Sequence, residues 1–456
     1  MHNENKATRI NLFNFSTPQM RAFHVSWFAF FLCFFAWFGI APMMKIIRDE
    51  MSLTKAQIGW SIIGSVSITV IARLFIGWLC DRIGPRLAYT WLLILGSLPV
   101  MGIALAQNFE TFLLFRVLIG VIGASFVITQ YHTSMMFAPN CVGTANATTA
   151  GWGVMGGGVT QMVMPLVFGA VIGLLGVSDY WGWRISMILA GVLCATMGVA
   201  YYFLTQDTPD GNFKQLRAAG KLQQKDSVKG TFLAACKDSR VWALFVIYGA
   251  CFGIELTINN VAALYFLDYF NELQEMDMMQ AVKMAGLFAG LFGMMNVFAR
   301  TLGGYFSDKF SESRGLKGRV QWLFVVLLCE GMALMFFSQM TVLTLAIPTL
   351  ILFSLFVQMS EGATFSIVPF VNKKALGSVA GIVGAGGNAG AVAAGFLFKG
   401  SLPWPTALFI LGAFVTTASF LTFVVKFNAD AEFEAQTAVE AAVNSNRELE
   451  LVGAAS

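Results

Sequence analysis

The chain reads as an all-α polytopic membrane protein of twelve spans in two six-helix halves. Three observations predict this. First, 57% of the 456 residues are apolar and 14% aromatic, and only 12% are charged, against about 25% in soluble domains. Second, the apolar runs are about 20 residues long, the length that crosses a bilayer as helix, where a β-barrel would show alternating runs of about 10. Third, a motif recurs. Arg73-Leu-Phe-Ile-Gly77-Trp-Leu-Cys-Asp81-Arg82 returns 227 positions later as Arg300-Thr-Leu-Gly-Gly304-Tyr-Phe-Ser-Asp308-Lys309. A repeat of that period marks two similar halves.

Residues 1–23 are polar and basic and form the expected cytoplasmic N-terminal segment. The hydropathy pattern predicts spans at 25–46, 57–79, 87–107, 111–137, 144–174, 182–204, 239–268, 282–306, 319–338, 342–369, 376–399 and 404–426. The first run is too long for the apolar core of a signal peptide, so it is expected to remain as a span. The bundles are then 24–204 and 239–426. Between them, 205–238 carries Thr208-Pro-Asp-Gly211 followed by Lys214, Arg217, Lys221, Lys225 and Lys229, a basic cytoplasmic linker. Residues 427–456, rich in Ala and Glu, read as a disordered or weakly helical cytoplasmic tail.

Orientation follows from the cations. With both termini cytoplasmic, 20 of the 29 Lys and Arg face that side. Six lie outside (Lys45, Arg48, Lys55, Arg184, Lys283, Lys399) and three within spans (Arg73, Arg116, Arg300). This is the positive-inside bias. The short linker and compact chain point to a bacterial inner membrane. The seven Cys form no Cys-x-x-Cys pair and the three His no ligand spacing, so no metal site or cofactor is expected. The net charge of +4 sits in loops and implies no nucleic-acid partner.

Arg73 and Arg300 each lie eight residues before the Asp of their motif. That puts both about 12 Å into a core about 30 Å thick. Such residues cost about 2.5–3.5 kcal/mol to insert and face a bundle interior or cavity. Either each pairs with a carboxylate (Glu255, Glu330 or Glu361), or the two hold an anion between them. A guanidinium is a permanent cation whose planar fork matches two oxygens of a planar oxyanion. The repeat-related pair favours the anion.

Two glycine stretches also match across the halves: Ala150-Gly151-Trp-Gly153-Val154-Met-Gly156-Gly-Gly158 and Gly381-Ile-Val-Gly384-Ala-Gly-Gly387-Asn388-Ala-Gly390. Small residues let helices approach closely. At this density they also predict a sliding seam and bare backbone beside a small ligand.

The six-plus-six layout and the Gly-x-x-x-Asp-[Arg/Lys] turns resemble the major facilitator superfamily, in which two bundles rock about a central site. Gly77 to Arg86 follows its loop pattern, and Arg116 with Gly120 its Arg-x-x-x-Gly signature, which implies a structural or coupling role for Arg116. The paired glycine stretches resemble the signatures of the nitrate/nitrite porter family. So do Gly123-Ala-Ser-Phe126, Tyr248-Gly-Ala-Cys-Phe252-Gly-Ile-Glu255 and Glu361-Gly-Ala-Thr-Phe-Ser-Ile-Val-Pro369, which look most like its assimilatory branch. The resemblance implies that Arg73 and Arg300 hold nitrate, that Phe126 and Phe252 sandwich it, and that Tyr248 hydrogen-bonds it, with Gly153 and Asn388 completing the site. Gly151, Gly156, Gly384 and Gly387 would form the seam. Gly77, Asp81, Arg82 and Asp308 would form the loop motifs. Superfamily precedent implies a monomer. One departure stands out: Val154 occupies a position where the family usually has Asn.

Moving a monovalent anion into an inside-negative cell opposes the potential by about 2.3 kcal/mol per 100 mV. Uptake therefore needs a coupled proton or an exchanged anion. Glu255 and Glu361 are the expected proton carriers, with Glu330 a third candidate. The reading is proton-coupled transport of nitrate, with nitrite as a further substrate. Its alternatives are nitrate/nitrite exchange, porting of formate, cyanate or a short carboxylate, and nitrate sensing. No nucleophile–base pair stands out, so no enzyme activity is expected.

Overall fold

A computed structural model of the protein describes residues 6–137, 142–220, 231–372 and 376–433. The side chains of Asp81 and Asp308 lie outside the described residues, as do 221–230 of the expected linker and 434–456 of the expected tail. The twelve expected spans appear as twelve helices long and apolar enough to cross a membrane. They are α1 (Pro18–Met51), α2 (Lys55–Gly77), α3 (Pro85–Leu105), α4 (Phe109–Met136), α5 (Ala145–Leu175), α6 (Asp179–Leu204), α7 (Ser239–Tyr269), α8 (Met278–Ser311), α9 (Ser313–Phe337), α10 (Leu343–Val368), α11 (Gly381–Lys399) and α12 (Trp404–Val424).

Local chemistry sets the helix starts. Thr17 caps α1 by accepting from the Met20 amide, with Pro18 at the first position, where its missing N–H costs nothing. Thr54 with Gln57 and Asn108 with Thr111 form reciprocal capping boxes at α2 and α4. Gly315, at φ 62°, turns the chain between α8 and α9.

Three boundaries differ from expectation. The first helix runs from Pro18 to Met51, kinked through a 3-10 turn at Ala41–Met43 that contains Pro42. Beyond the kink Ile46 and Ile47 are buried while Asp49 is exposed, so this short amphipathic segment stays helical. Lys45 and Arg48, expected in a loop, therefore sit on helix. Arg184, also expected outside, is 1% exposed in α6. It bridges Glu50 at 2.8 Å and donates to the carbonyls of Ala104 and Ala106. The start of the tail is docked: the Glu432 carboxylate accepts from the Leu316 and Lys317 amides.

The glycine stretches pack differently from the expected single seam. Within the halves, Gly153 and Gly156 seat α5 on Phe30 and the Phe31 carbonyl of α1. Gly386 and Gly390 likewise seat α11 on Phe245 and Gly249 of α7. Between the halves there are two seams. α5 meets α8, where a Cβ on Gly158 would stand 2.6 Å from the Gly293 carbonyl carbon. α11 meets α2, where Gly59 lies against the backbone of Lys399 and Gly395 against Ile63. So across the halves the glycines of α5 pack on α8 and those of α11 on α2.

Cross-half contacts gather toward one end. Arg48 Nη2 donates to Asp268 Oδ1 at 2.9 Å, and a second, shorter bond runs from Nη1 to Oδ2. Lys55 Nζ reaches the Leu402 carbonyl, and Lys399 Nζ sits 3.8 Å from the Trp60 ring centre. Toward the other end, the Arg82 end, a Cβ on Gly381 or Gly384 would meet nothing within 4 Å among the described residues. The halves are closed together at the Arg48 end.

Candidate anion site between the halves

Arg73 and Arg300 project from α2 and α8 and are 8% and 6% exposed. Both guanidiniums approach one ring, that of Phe252 on α7, with Cζ 5.8 Å and 5.7 Å from its centre. Arg73 also lies 5.2 Å from the ring centre of half-buried Phe126, so it sits between two aromatic faces, one from each half. Tyr248 stacks on Phe252 at 5.2 Å and 10° and accepts from Arg300 Nη2 at 3.1 Å.

The two arginines differ in company. Arg300 Nη2 bridges Glu361 Oε2 at 2.7 Å. Among the described residues Arg73 has no such carboxylate, and its Nη1 reaches the Gly384 carbonyl at 3.3 Å. The two alternatives from sequence thus divide: Arg300 has the fixed carboxylate, and Arg73 does not. Arg73 Nε and Nη2, Arg300 Nη1 and both amide atoms of Asn388 have no hydrogen-bond partner among the described residues. Asn388 is fully buried one turn beyond Gly384. Buried donors are normally satisfied. Several such N–H groups beside two cations suit an anion with several oxygens.

Glu361 lies within electrostatic reach of Glu255 on α7 and Glu330 on α9. Asn296 Nδ2 donates to Glu255 Oε1 at 2.5 Å. All three carboxylates are fully buried and all three belong to the second half. They form a cluster that meets Arg300 through Glu361.

Not every expected site residue meets this centre. Gly153 leaves room for the Phe30 ring, which in turn lies 5.9 Å from Phe126. The side on which its Cβ would stand faces this aromatic wall. Gly156 is likewise a helix-packing residue within the first half. Gly151 faces the Asn296 carbonyl across the α5–α8 seam, and Gly387 admits the Phe252 ring. Gly77 is in ordinary contact with Val127, and Arg82 lies exposed at the loop.

The sequence profile of the Major Facilitator Superfamily matches residues 26–394. The high affinity nitrate transporter 2.5 of Arabidopsis thaliana is 40% identical over 399 residues, which is 87% of this chain and 78% of that protein. This chain belongs to the nitrate/nitrite porter family. The nitrate/nitrite transporter NrtP of Picosynechococcus is 31% identical over 452 residues, covering 81% of this chain and 83% of the other. Among solved structures, a bacterial homologue of the human lysosomal transporter Spinster, in an inward-facing and occupied conformation, superposes with a TM-score of 0.66. It covers 90% of this chain at 16% identity and shows the shared fold.

As a porter of this family the protein is a multi-pass membrane transporter, not an enzyme. Sequence reasoning missed several polar residues on its seams: Arg48 with Asp268, Asn260 under Arg116, and Gln161, whose Nε2 donates to the Asn259 carbonyl at 2.6 Å. The polarity of Gln161, Asn259 and Asn260 inside apolar spans was the signal available.

Proposed function

We propose that this porter takes up nitrate, with nitrite as a second substrate, by alternating access coupled to protons. The observation that carries the reading is the pair of guanidiniums on one Phe252 ring with N–H groups left free of protein partners. Its relatives, which include nitrate and nitrate/nitrite transporters, agree with that chemistry. Nitrate is flat, monovalent and weakly hydrated. The rings of Phe126 and Phe252 favour a planar ion over a tetrahedral one, and Tyr248 and Asn388 add donors. Glu361 and Glu255 carry the proton. The bundles 24–204 and 239–426 move about this centre, joined by the 205–238 linker. The Arg48 end faces outside, both termini lie in the cytoplasm, and the protein works as a monomer in a bacterial inner membrane.

The test is uptake of labelled nitrate into vesicles of both orientations, with and without an imposed proton gradient. Arg73→Lys and Arg300→Lys keep the charge and lose the fork. Each is expected to cut uptake at least about tenfold, the loss of one bidentate pair. Uptake that ignores the pH gradient and requires internal nitrite means exchange. Absence of nitrate flux in the wild type moves the substrate to formate, cyanate or a short carboxylate.

A further inference from the structure

The third intramembrane arginine, Arg116, is 1% exposed and lacks a counter-ion. No carboxylate among the described residues bridges it or acts on it electrostatically. Its Nη2 donates to Asn260 Oδ1 at 2.7 Å, Nη1 only approaches the Trp37 carbonyl at 3.4 Å, and Nε has no partner. A buried cation matched by neutral oxygens alone is costly.

The neighbourhood is polar and under-satisfied. Ser65 Oγ also approaches Asn260 Oδ1, at 3.4 Å. On the adjacent residue, Asn259 is 2% exposed and neither side-chain amide atom has a partner. It faces Gly157, where an added Cβ would stand 3.5 Å from Asn259 Nδ2, and Gln161 Oε1 is also unpartnered among the described residues.

Arg116 belongs to the first half and Asn260 to the second, so this contact is remade each time the halves close. Along α4, Arg116 lies ten residues outward of Phe126; along α7, Asn260 lies eight outward of Phe252. At 1.5 Å per residue the cluster sits about 12–15 Å outside the Arg73–Arg300 centre. Farther out, Arg48, Lys55 and Lys399 ring the closed end.

We infer that Arg116 forms a second, outer anion site, occupied while the halves are open to the outside. Asn260 Oδ1 takes the place of an anion oxygen when they close. The inference rests on the small-anion reading above and on the Arg48 end being external. In the open state Asn260 leaves with its half, and Arg116 is a desolvated cation facing the vestibule. A line of cations in a low-dielectric cleft raises local anion concentration. The anion pairs with Arg116 until closure returns Asn260, whose oxygen competes for the same N–H and releases the anion toward Arg73.

The experiment is saturation of labelled nitrate flux from each face separately, in right-side-out and inverted vesicles. The variants are Asn260→Asp, Asn260→Ala, Arg116→Gln and Arg116→Lys. Asn260→Asp gives Arg116 a permanent carboxylate and is expected to raise KM from the outer face about tenfold or more. KM from the inner face, where Arg116 is not on the path, stays within about twofold. Arg116→Gln behaves the same way, and Arg116→Lys recovers part of the loss. Asn260→Ala removes the competitor without adding charge, so outer KM is unchanged or lower.

Equal effects from both faces, or the same outer KM for Asn260→Asp and Asn260→Ala, would make the contact a mere latch and overturn the inference. Nitrate-dependent thermal stabilisation of each purified variant checks that the central site survives. Wild type that carries no nitrate from either face overturns the substrate reading and this inference together. Wild type that carries nitrate normally, beside Arg116→Gln with an unchanged outer KM, overturns this inference alone.

Discussion

Glu361 is the carboxylate that meets a substrate arginine of the proposed site. It sits 2.7 Å from Arg300, with Glu255 and Glu330 within electrostatic reach. An anion that engages both arginines competes with this internal counter-ion, and protonation of Glu361 relieves the competition. Glu361→Gln keeps the shape and removes the charge. Nitrate binding is expected to persist or tighten, while the pH-gradient dependence of uptake is lost; counterflow at equal pH on both sides, which needs no net proton movement, should continue. Gradient-driven uptake that survives the substitution would move the proton to Glu255 or Glu330. The arginines were legible from sequence because a permanent charge in an apolar run is costly and both recur at one position of the repeat. Choosing among the three glutamates was not, since the choice depends on which carboxylate faces Arg300 across α8 and α10. Asn260 carried still less signal: its partner is 144 residues away and neither lies in the repeat.

At the scale of helices, the glycines do two jobs that the sequence does not separate. In α5, Gly153 and Gly156 face α1 of their own half, while Gly158 faces Gly293 of the other. Positions 153, 156 and 158 project in different directions around one helix, so the stretch reads as one block in sequence and as two faces in space. Only the second of these two faces meets the other half. A methyl on Gly158 would stand 2.6–2.8 Å from the backbone of Gly293 and Met294, and backbone cannot swing aside as a side chain can. The closed state alone bears that overpacking, about 1–3 kcal/mol. Gly158→Ala is therefore expected to slow nitrate turnover about tenfold while leaving the protein folded and able to bind from outside. Gly173→Ala, farther along α5 where a Cβ meets nothing within 4 Å among the described residues, is the control and should turn over as wild type. Equal slowing of both would assign the effect to general helix packing.

Across the whole molecule, span number and the twofold repeat were legible because hydrophobic length and motif period are properties of the chain alone. How the two halves touch was not, because those contacts join residues hundreds of positions apart. Arg48 and Asp268 illustrate the difference. In sequence one is a loop cation and the other the last residue of a span; in the structure they form a two-bonded pair that ties α1 to α7 at the closed end. Their side chains are 21% and 25% exposed, so water screens the pair and its worth is about 1 kcal/mol. Lys399 on Trp60 and Lys55 on the Leu402 carbonyl share the same duty. Asp268→Asn should therefore shift the balance between states without unfolding either one, by roughly fivefold toward the form open at the Arg48 end. Spin labels at Glu110 and Glu275, exposed near that end on opposite halves, report the change as a larger population at long separation. Raising salt should move the wild type partway to the same distribution, because screening acts on the pair, and should leave Asp268→Asn nearly unmoved. A distance distribution identical in the two proteins at low salt would mean that the Gly158–Gly293 and Gly59–Lys399 packing alone sets the closed state.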